Sequence, residues 1–171
     1  MTYHHRAAKL GVDTARIGAA GFSAGGHLCA TLATGFDRSV YPRTMIEDGL
    51  SARPDFSVLL YPVISMMQSD AHRGSRNRLI GERATSELER AYSPHLNVTQ
   101  ITPRCFLLHA EDDTLVPPEN SLLYRVALKA KGIAIETHLF AKGGHGFGLR
   151  NIESLPIATW PELLLGYIDT L

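Results

Sequence analysis

The sequence predicts an α/β fold in which about four parallel strands alternate with helices. Three observations lead to this prediction: short runs of apolar residues, segments with helical apolar spacing between them, and proline or glycine at the boundaries. Alternating strands and helices favour a parallel sheet joined by right-handed crossovers. With 171 residues the chain is long enough for a single domain with a substantial core, and we identify no internal repeat.

Apolar runs predict the strands of this sheet. The clearest extends from Asp55 to Pro62, because near-continuous apolar side chains are typical of a strand covered on both faces and the final proline ends it. On the same grounds, strands are expected at residues 15–20, 55–62, 103–109 and 133–140.

Helical spacing of apolar residues predicts helices before, between and after these strands. We expect them at residues 2–10, 24–34, 85–91, 119–131 and 160–171. The second of these is rich in small residues, which would let it lie close against the sheet. Residues 36–53 are expected to be a loop, and residues 63–102 a lid-like excursion that lines a binding site.

A Gly-x-Ser-x-Gly turn directly follows the first predicted strand. It reads Gly21-Phe22-Ser23-Ala24-Gly25, and its position between a strand and a helix is typical of a nucleophile elbow. Cβ atoms at Gly21 and Gly25 are expected to collide with the neighbouring strand and helix. The free amide of Ala24 is expected to point at an oxyanion formed beside Ser23. The pattern therefore predicts Ser23 as nucleophile and Ala24 as oxyanion donor.

Two later loops carry the partners that such a serine requires. Asp112 and Asp113 follow the third predicted strand, and His145 follows the fourth. Loops after parallel strands emerge at one edge of a sheet, so we expect these side chains near Ser23. A serine hydroxyl is too weakly acidic to attack unaided, so a histidine takes its proton and a carboxylate stabilises the charged histidine. The spacing leaves open which aspartate is the acid.

These motifs resemble those of the α/β-hydrolase superfamily, in particular its acetyl-xylan-esterase-like branch, often labelled xylanase- or lipase-like. The matching stretches are residues 21–28, 109–117 and 144–148, in the same chain order. The resemblance implies that Asp113 is the acid, because the family's aspartate stands four residues before the proline that maps to Pro117. It also implies a serine carboxylesterase that hydrolyses short acyl esters, such as acetyl groups on sugars or oligosaccharides, without a cofactor or metal.

One part of that family's pattern has no counterpart upstream of Ser23. Members are usually longer, and a glycine-rich loop before the elbow donates a second oxyanion N–H. We therefore expect the C-terminal part of the fold, whose first strand is a bare sheet edge that a second copy of the chain would cover. Two alternative hypotheses remain: a prolyl-oligopeptidase-type serine peptidase domain, and a catalytically silent hydrolase fragment that needs a partner chain.

The net charge and the short motifs restrict the classes of molecule that this chain is expected to bind. The sequence has 17 Lys+Arg and 17 Asp+Glu, and this zero net charge argues against a nucleic-acid or anionic membrane surface. It contains no Gly-x-Gly-x-x-Gly, Gly-Lys-Ser/Thr or zinc-binding Cys/His spacing. The first residues lack the apolar core of a signal peptide, so a cytoplasmic location is the default expectation.

Several other residues have structural interpretations. Cys29 and Cys105 are expected to be buried thiols rather than a disulfide. His27 is expected to pack near the site, and His109 to hydrogen-bond the loop of the acid. The methionines at 66–67 either line an acyl pocket or belong to ordinary packing.

Overall fold

A four-stranded parallel sheet lies at the centre of the computed structural model, which describes residues 6–7, 9–40, 42, 44 and 49–171. The strands are β1 (Gly18–Phe22), β2 (Phe56–Leu60), β3 (Arg104–Ala110) and β4 (Ile135–Phe140). They lie side by side in chain order, and every neighbouring pair is parallel. The predicted α/β fold with about four parallel strands is confirmed.

Helices connect the strands and follow the last one. They are α1 (Ala24–Gly35), α2 (Arg73–Ile80), α3 (Ser86–Ala91), α4 (Glu119–Ala130) and α5 (Trp160–Asp169), with 3-10 turns at Pro94–Leu96 and Pro156–Thr159. Helices α1, α3, α4 and α5 agree with the sequence prediction. The helix predicted at 2–10 includes residues 2–5 and 8, which lie outside the described residues.

Helix α2 is not predicted by the sequence, because its residues are almost all polar and show no apolar period. Its first turn is capped by His72, whose ring nitrogen accepts a hydrogen bond from the backbone N–H of Ser75 at 3.3 Å. Its stability therefore depends on this cap and on contacts with neighbouring segments rather than on an amphipathic pattern.

Both ends of the β1–β2 pair differ from the predicted bounds for local reasons. β1 begins at Gly18 rather than at residue 15. Just before it, the backbone N–H of Ile17 donates to the side chain of Asp55 at 2.8 Å instead of to the backbone of the neighbouring strand. β2 ends at Leu60 because Tyr61 adopts a positive φ of 38° and Pro62 has no N–H to donate. The strand ladder is thus shorter than the apolar runs that predict it.

Alternating side chains of β2 and β3 form a core on each face of the sheet. One face packs against α5, and its buried residues include Phe56, Val58, Leu60, Phe106, Leu108, Trp160 and Tyr167. The other face packs against α1 and α4 through Ala30, Leu59, Cys105, Leu107, Tyr124 and Leu128. Cys29 and Cys105 are free thiols, as predicted, but only Cys105 is buried, whereas Cys29 is partly exposed. Burial raises the pKa of Cys105 to about 12.

The excursion at residues 63–102 is attached to the body of the protein by buried polar contacts. Within the excursion, a buried ion pair joins Arg76 on α2 to Glu89 on α3, with 2.6 Å between Nη2 and Oε1. The Oδ1 atom of Asn120 accepts from the backbone N–H groups of Ile64 and Ser65, each at 2.9 Å. This part of the chain is packed in place, and its role as a lid stays a prediction.

The glycines of the elbow differ in what surrounds them. A Cβ added at Gly21 would lie 2.2 Å from the carbonyl oxygen of Gly25, so glycine is required there. At Gly25 itself an added Cβ would meet nothing within 4 Å, and the prediction that both flanking glycines avoid a collision is wrong for this residue. The second close approach is at Gly26, where an added Cβ would lie 2.7 Å from the Cβ of Pro62.

Small residues bring α1 against the sheet along only part of its length. Gly26, Ala30 and Ala33 are buried as expected, whereas Ala24 and Gly25 are exposed. The helix therefore lies close to the sheet from its third residue onward, and its first two residues face outward.

β1 lies at one edge of the sheet in the part of the chain that the structure describes, with β2 as its neighbour. Gly18, Ala20 and Phe22 are exposed along it. The expected bare edge is therefore present, and its pairing with a second copy stays a prediction. Among the described residues, no helix combines the length and the apolar character needed to cross a lipid bilayer.

We expect Gly21→Ala and Gly26→Ala each to lower the free energy of unfolding by about 1–3 kcal/mol, because each added methyl group would overlap fixed neighbours. Gly25→Ala is the matched control, since its methyl group would occupy open space in a helix and should stabilise the protein by up to about 1 kcal/mol. Thermal and urea unfolding of the three variants measure the difference. Equal midpoints for all three would contradict the packing described for the elbow.

Candidate active site

Ser23 occupies the turn between β1 and α1 in a strained backbone conformation. Its φ of 53° and ψ of −119° lie in a region that residues with a side chain rarely adopt. The end of β2 holds this conformation: the N–H of Ser23 donates to the Leu60 carbonyl at 3.0 Å, and the N–H of Val63 donates to the Ser23 carbonyl at 3.1 Å. The strain is thus balanced by hydrogen bonds to the neighbouring strand.

His145 reaches this serine from the loop after β4. Its Nε2 atom lies 2.8 Å from Ser23 Oγ, although the two residues are 122 positions apart in the chain. Gly144 and Gly146 flank the histidine with φ values of 62° and 75°, which glycine adopts without strain. These two turns direct the imidazole back over the sheet edge.

Asp113 completes the line of hydrogen bonds. Its Oδ2 atom lies 2.6 Å from His145 Nδ1, and its Oδ1 accepts from the backbone N–H groups of Leu115 and Val116 at 2.9 Å each. Burial alone would raise the pKa of Asp113, but the hydrogen bonds from His145, Val116 and Leu115 outweigh it and hold that pKa below its usual value. The carboxylate is therefore ionised at neutral pH.

The hydrogen-bond partners determine which atoms of Ser23, His145 and Asp113 carry the protons. An ionised carboxylate only accepts, so His145 Nδ1 carries the hydrogen that Asp113 receives. In the neutral imidazole Nε2 is then unprotonated and accepts from the hydroxyl of Ser23. The arrangement can move a proton from the serine oxygen to the histidine.

Asp112, the alternative acid, has a different set of contacts. Its Oδ1 atom accepts from the backbone N–H groups of Gly143 at 2.9 Å and Gly144 at 2.7 Å. It is hydrogen-bonded to the backbone of the histidine loop, whereas Asp113 is hydrogen-bonded to the imidazole of His145. Asp112 thus holds the loop that carries His145, and Asp113 holds the ring of His145.

Tyr61 is a site residue that sequence reasoning does not identify. Its buried ring packs edge-on against the imidazole of His145, with 5.0 Å between the ring centroids, and against Phe147 at 4.5 Å. Burial raises the pKa of its hydroxyl, and a backbone hydrogen bond from Gly148 opposes that shift. The positive φ of Tyr61 aims the ring at the site, and the one hint in the sequence is the proline that follows it.

Two other predicted positions lie near the elbow. Ala24 is the first residue of α1, so its N–H has no acceptor within the helix. His27 is buried one turn later; its Nδ1 lies 3.3 Å from the Val63 carbonyl and its Nε2 lies 3.4 Å from Thr31 Oγ1. Burial lowers the pKa of His27, which agrees with the expectation of a packed histidine.

An apolar groove of about 390 Å³ begins beside Ala24 and runs between α1 and α2. Its walls include Leu28, Met66, Leu79 and Tyr92. Met66 is fully buried, which confirms the packing interpretation for this residue, and it also lines the groove; its role in an acyl pocket stays a prediction. The groove offers space for an apolar group next to the serine.

Comparison with known proteins places this chain in a family. The family model described as BD-FAE matches residues 3–128, which include Ser23 and Asp113. Endo-1,4-beta-xylanase B of Butyrivibrio fibrisolvens is 37% identical over 147 residues, or 86% of this chain and 23% of that protein. An acetylxylan esterase of Xylanibacter ruminicola is 35% identical over 136 residues, or 77% of this chain and 26% of that protein. The chain thus spans about a quarter of the length of these curated relatives.

Two solved structures resemble this chain in fold. The acetyl ester-xyloside bifunctional hydrolase from Caldicellulosiruptor lactoaceticus superimposes with a TM-score of 0.91 at 40% identity, covering 99% of this chain and 61% of that one. An alpha/beta hydrolase enzyme from a deep-sea metagenome library also superimposes, with a TM-score of 0.68 at 27% identity. The chain therefore belongs to the BD-FAE family and has the fold of the α/β-hydrolase esterases.

Proposed function

We propose that this chain carries the catalytic residues of a serine carboxylesterase, with Ser23 as nucleophile, His145 as base and Asp113 as acid. The observation that carries the proposal is the continuous line of short hydrogen bonds, 2.8 Å from Ser23 Oγ to His145 Nε2 and 2.6 Å from His145 Nδ1 to Asp113 Oδ2. Three groups in this order form the arrangement that activates a serine for attack on a carbonyl.

In the first half of the reaction, Ser23 Oγ bonds to the ester carbonyl carbon while its proton moves to His145 Nε2. The ionised, buried carboxylate of Asp113 stabilises the imidazolium that results. The carbonyl oxygen becomes an oxyanion, and the N–H of Ala24 donates to it. Collapse of this intermediate breaks the bond to the alcohol oxygen, which takes the proton from His145.

In the second half, water replaces the alcohol. His145 removes a proton from the water, whose oxygen attacks the acyl carbon bound to Ser23. The bond to Ser23 Oγ then breaks, His145 returns the proton to it, and the carboxylic acid leaves. One ester and one water thus yield one alcohol and one acid, and no cofactor takes part.

The substrate class is proposed from the relatives and from the groove. Relatives named as an acetylxylan esterase and an acetyl ester-xyloside bifunctional hydrolase support short acyl groups, chiefly acetyl, on sugars or other small alcohols. The groove beside Ala24, about 390 Å³, has room for more than an acetyl group, so we place the apolar part of a small-molecule ester there.

We expect Ser23→Ala to lower kcat for an acetyl ester by about 10⁴–10⁶-fold, because the attacking oxygen is lost. The parent should also be labelled stoichiometrically at Ser23 by a fluorophosphonate, which needs only an activated serine. Thr34→Ala serves as a control that removes a hydroxyl from the helix after Ser23, at a position outside the groove.

Three results would contradict this proposal. An S23A variant within tenfold of the parent would exclude Ser23 as nucleophile. Cleavage of aminoacyl-proline amides but not of esters would favour the peptidase alternative. A correctly folded parent that reacts with neither ester nor fluorophosphonate would favour a silent domain that needs a partner chain.

Asp113→Asn should lower kcat by about 10⁴-fold, because an amide no longer supplies the charge and favours the wrong imidazole tautomer. Asp112→Asn is the matched control: its amide oxygen still accepts from Gly143 and Gly144, so a loss of tenfold or less is expected. Steady-state kinetics on one acetyl ester compare the two. A larger loss in D112N than in D113N would reverse the assignment of the acid.

The carboxylate of Asp113 should also affect how the free energy of unfolding changes in acid. The pKa of Asp113 is lowered by folding, so its contribution is fully present above the unfolded value of about 3.9 and is lost as pH falls through the folded value. The unfolding free energy of the parent should therefore drop more steeply below about pH 4 than that of D113N. Urea unfolding from pH 5 to pH 2.5 measures this, with S23A expected to follow the parent. Parallel curves for parent and D113N would exclude a lowered pKa.

A further inference from the structure

His109 is a fully buried histidine that the reaction proposed above does not use. It is the second-to-last residue of β3, four residues before Asp113, and its side chain has no exposed surface. Its Nε2 atom lies 3.1 Å from Asp113 Oδ2, which is the same oxygen that receives the hydrogen bond of His145. One carboxylate oxygen therefore faces two histidines.

The tautomer of His109 follows from its partners. Its Nε2 also lies 3.0 Å from the carbonyl oxygen of Val116, which can only accept, so Nε2 carries the hydrogen. Its Nδ1 lies 2.7 Å from the Oγ of Ser121, a buried residue of α4. Nδ1 is thus the acceptor and Ser121 the donor, so Ser121 holds His109 as the tautomer that donates toward Asp113.

The charge of His109 matters as much as its proton. Burial lowers the pKa of His109, although Val116 and Asp113 oppose that shift. A neutral ring donates a hydrogen bond to Asp113 without adding a second positive charge to the carboxylate. The full negative charge of Asp113 is then left to stabilise His145 when it takes the proton of Ser23.

We propose that His109 is a positioning residue: its Nε2–H fixes Asp113 Oδ2, and through it the ring and the basicity of His145, while Ser121 holds His109 in the required tautomer. The proposal rests on the function proposed for Ser23, and it extends the line of hydrogen bonds by two residues. It accounts for a buried histidine and a buried serine behind the acid.

Loss of this donor should shift the basicity of His145 in a defined direction. Without it the carboxylate of Asp113 has one donor fewer, attracts the hydrogen of His145 more strongly and stabilises the imidazolium more. The acid limb of kcat/KM then moves to higher pH, because the imidazolium of His145 is more stable in the variant and His145 must be neutral to act as a base. The groups that face His145 from other elements are Asp113, Ser23 and the ring of Tyr61, and all three are unchanged in the variants compared.

The test compares His109→Leu, His109→Gln and Ser121→Ala with the parent. In H109L we expect kcat to fall by about 10²-fold with KM within about twofold, because a displaced catalytic group costs about that much. The glutamine amide of H109Q can still donate to Asp113, so its kcat and acid limb should lie closer to those of the parent. S121A should change kcat and the acid limb in the same direction as H109L, by a smaller amount.

A matched control and a second readout make the outcome decisive. His138→Gln changes a histidine on the neighbouring strand β4, which pairs with Glu136 and not with the site, and should leave kcat and the pH profile unchanged. Imidazole ¹⁵N NMR reports the tautomer of His109 and the pKa of His145 without any substrate. Should H109L fail to fold, as its thermal melt would show, H109Q and S121A decide the question.

The proposal is overturned if folded variants keep the parent's acid limb and the parent's His145 pKa, or if NMR finds the hydrogen of His109 on Nδ1. A parent that folds and shows the coupled NMR shifts but never reacts with a fluorophosphonate would overturn the proposed esterase while leaving the coupling of the two histidines in place.

Discussion

The rest of the site depends on the buried carboxylate of Asp113 and its hydrogen bonds. Its two oxygens receive hydrogen bonds from the backbone of its own loop, from His145 and from His109. An ionised group with no exposed surface is tolerated only when its hydrogen-bonding capacity is met, so these contacts stabilise each other. The loop after β3, the loop after β4 and the start of α4 are thereby held together at one point.

The second constraint is the backbone of Ser23, which is held in a strained conformation by β2. Leu60 and Val63 bond to its N–H and carbonyl, and the turn between them contains Tyr61, whose own positive φ places its ring against His145. One short segment after β2 therefore supports both the serine and the histidine. Pro62 in the same segment also packs against Gly26 of α1, which fixes the helix relative to the strand.

Much of this arrangement could be predicted from the sequence because it depends on local pattern. Continuous apolar runs identify buried parallel strands, and the elbow with its downstream aspartates and histidine follows from chain order alone. What the sequence did not reveal depends on contacts between distant segments: the polar helix α2, the tolerance of Gly25 for a side chain, and the ring of Tyr61 beside His145. Chain order alone does not separate Asp112 from Asp113, since both follow β3; the family resemblance favours Asp113, and Asp113 is the aspartate that is hydrogen-bonded to His145.

The separation of Ser23 and His145 has a consequence for the order in which the protein acquires its chemistry. A contact between residues 122 positions apart closes a long loop, and such contacts form late in folding. During synthesis Ser23 leaves the ribosome well before His145. Under the function proposed above, a nascent chain would stay inert toward esters until the loop after β4 has docked, and reactivity at Ser23 would mark the completion of the fold.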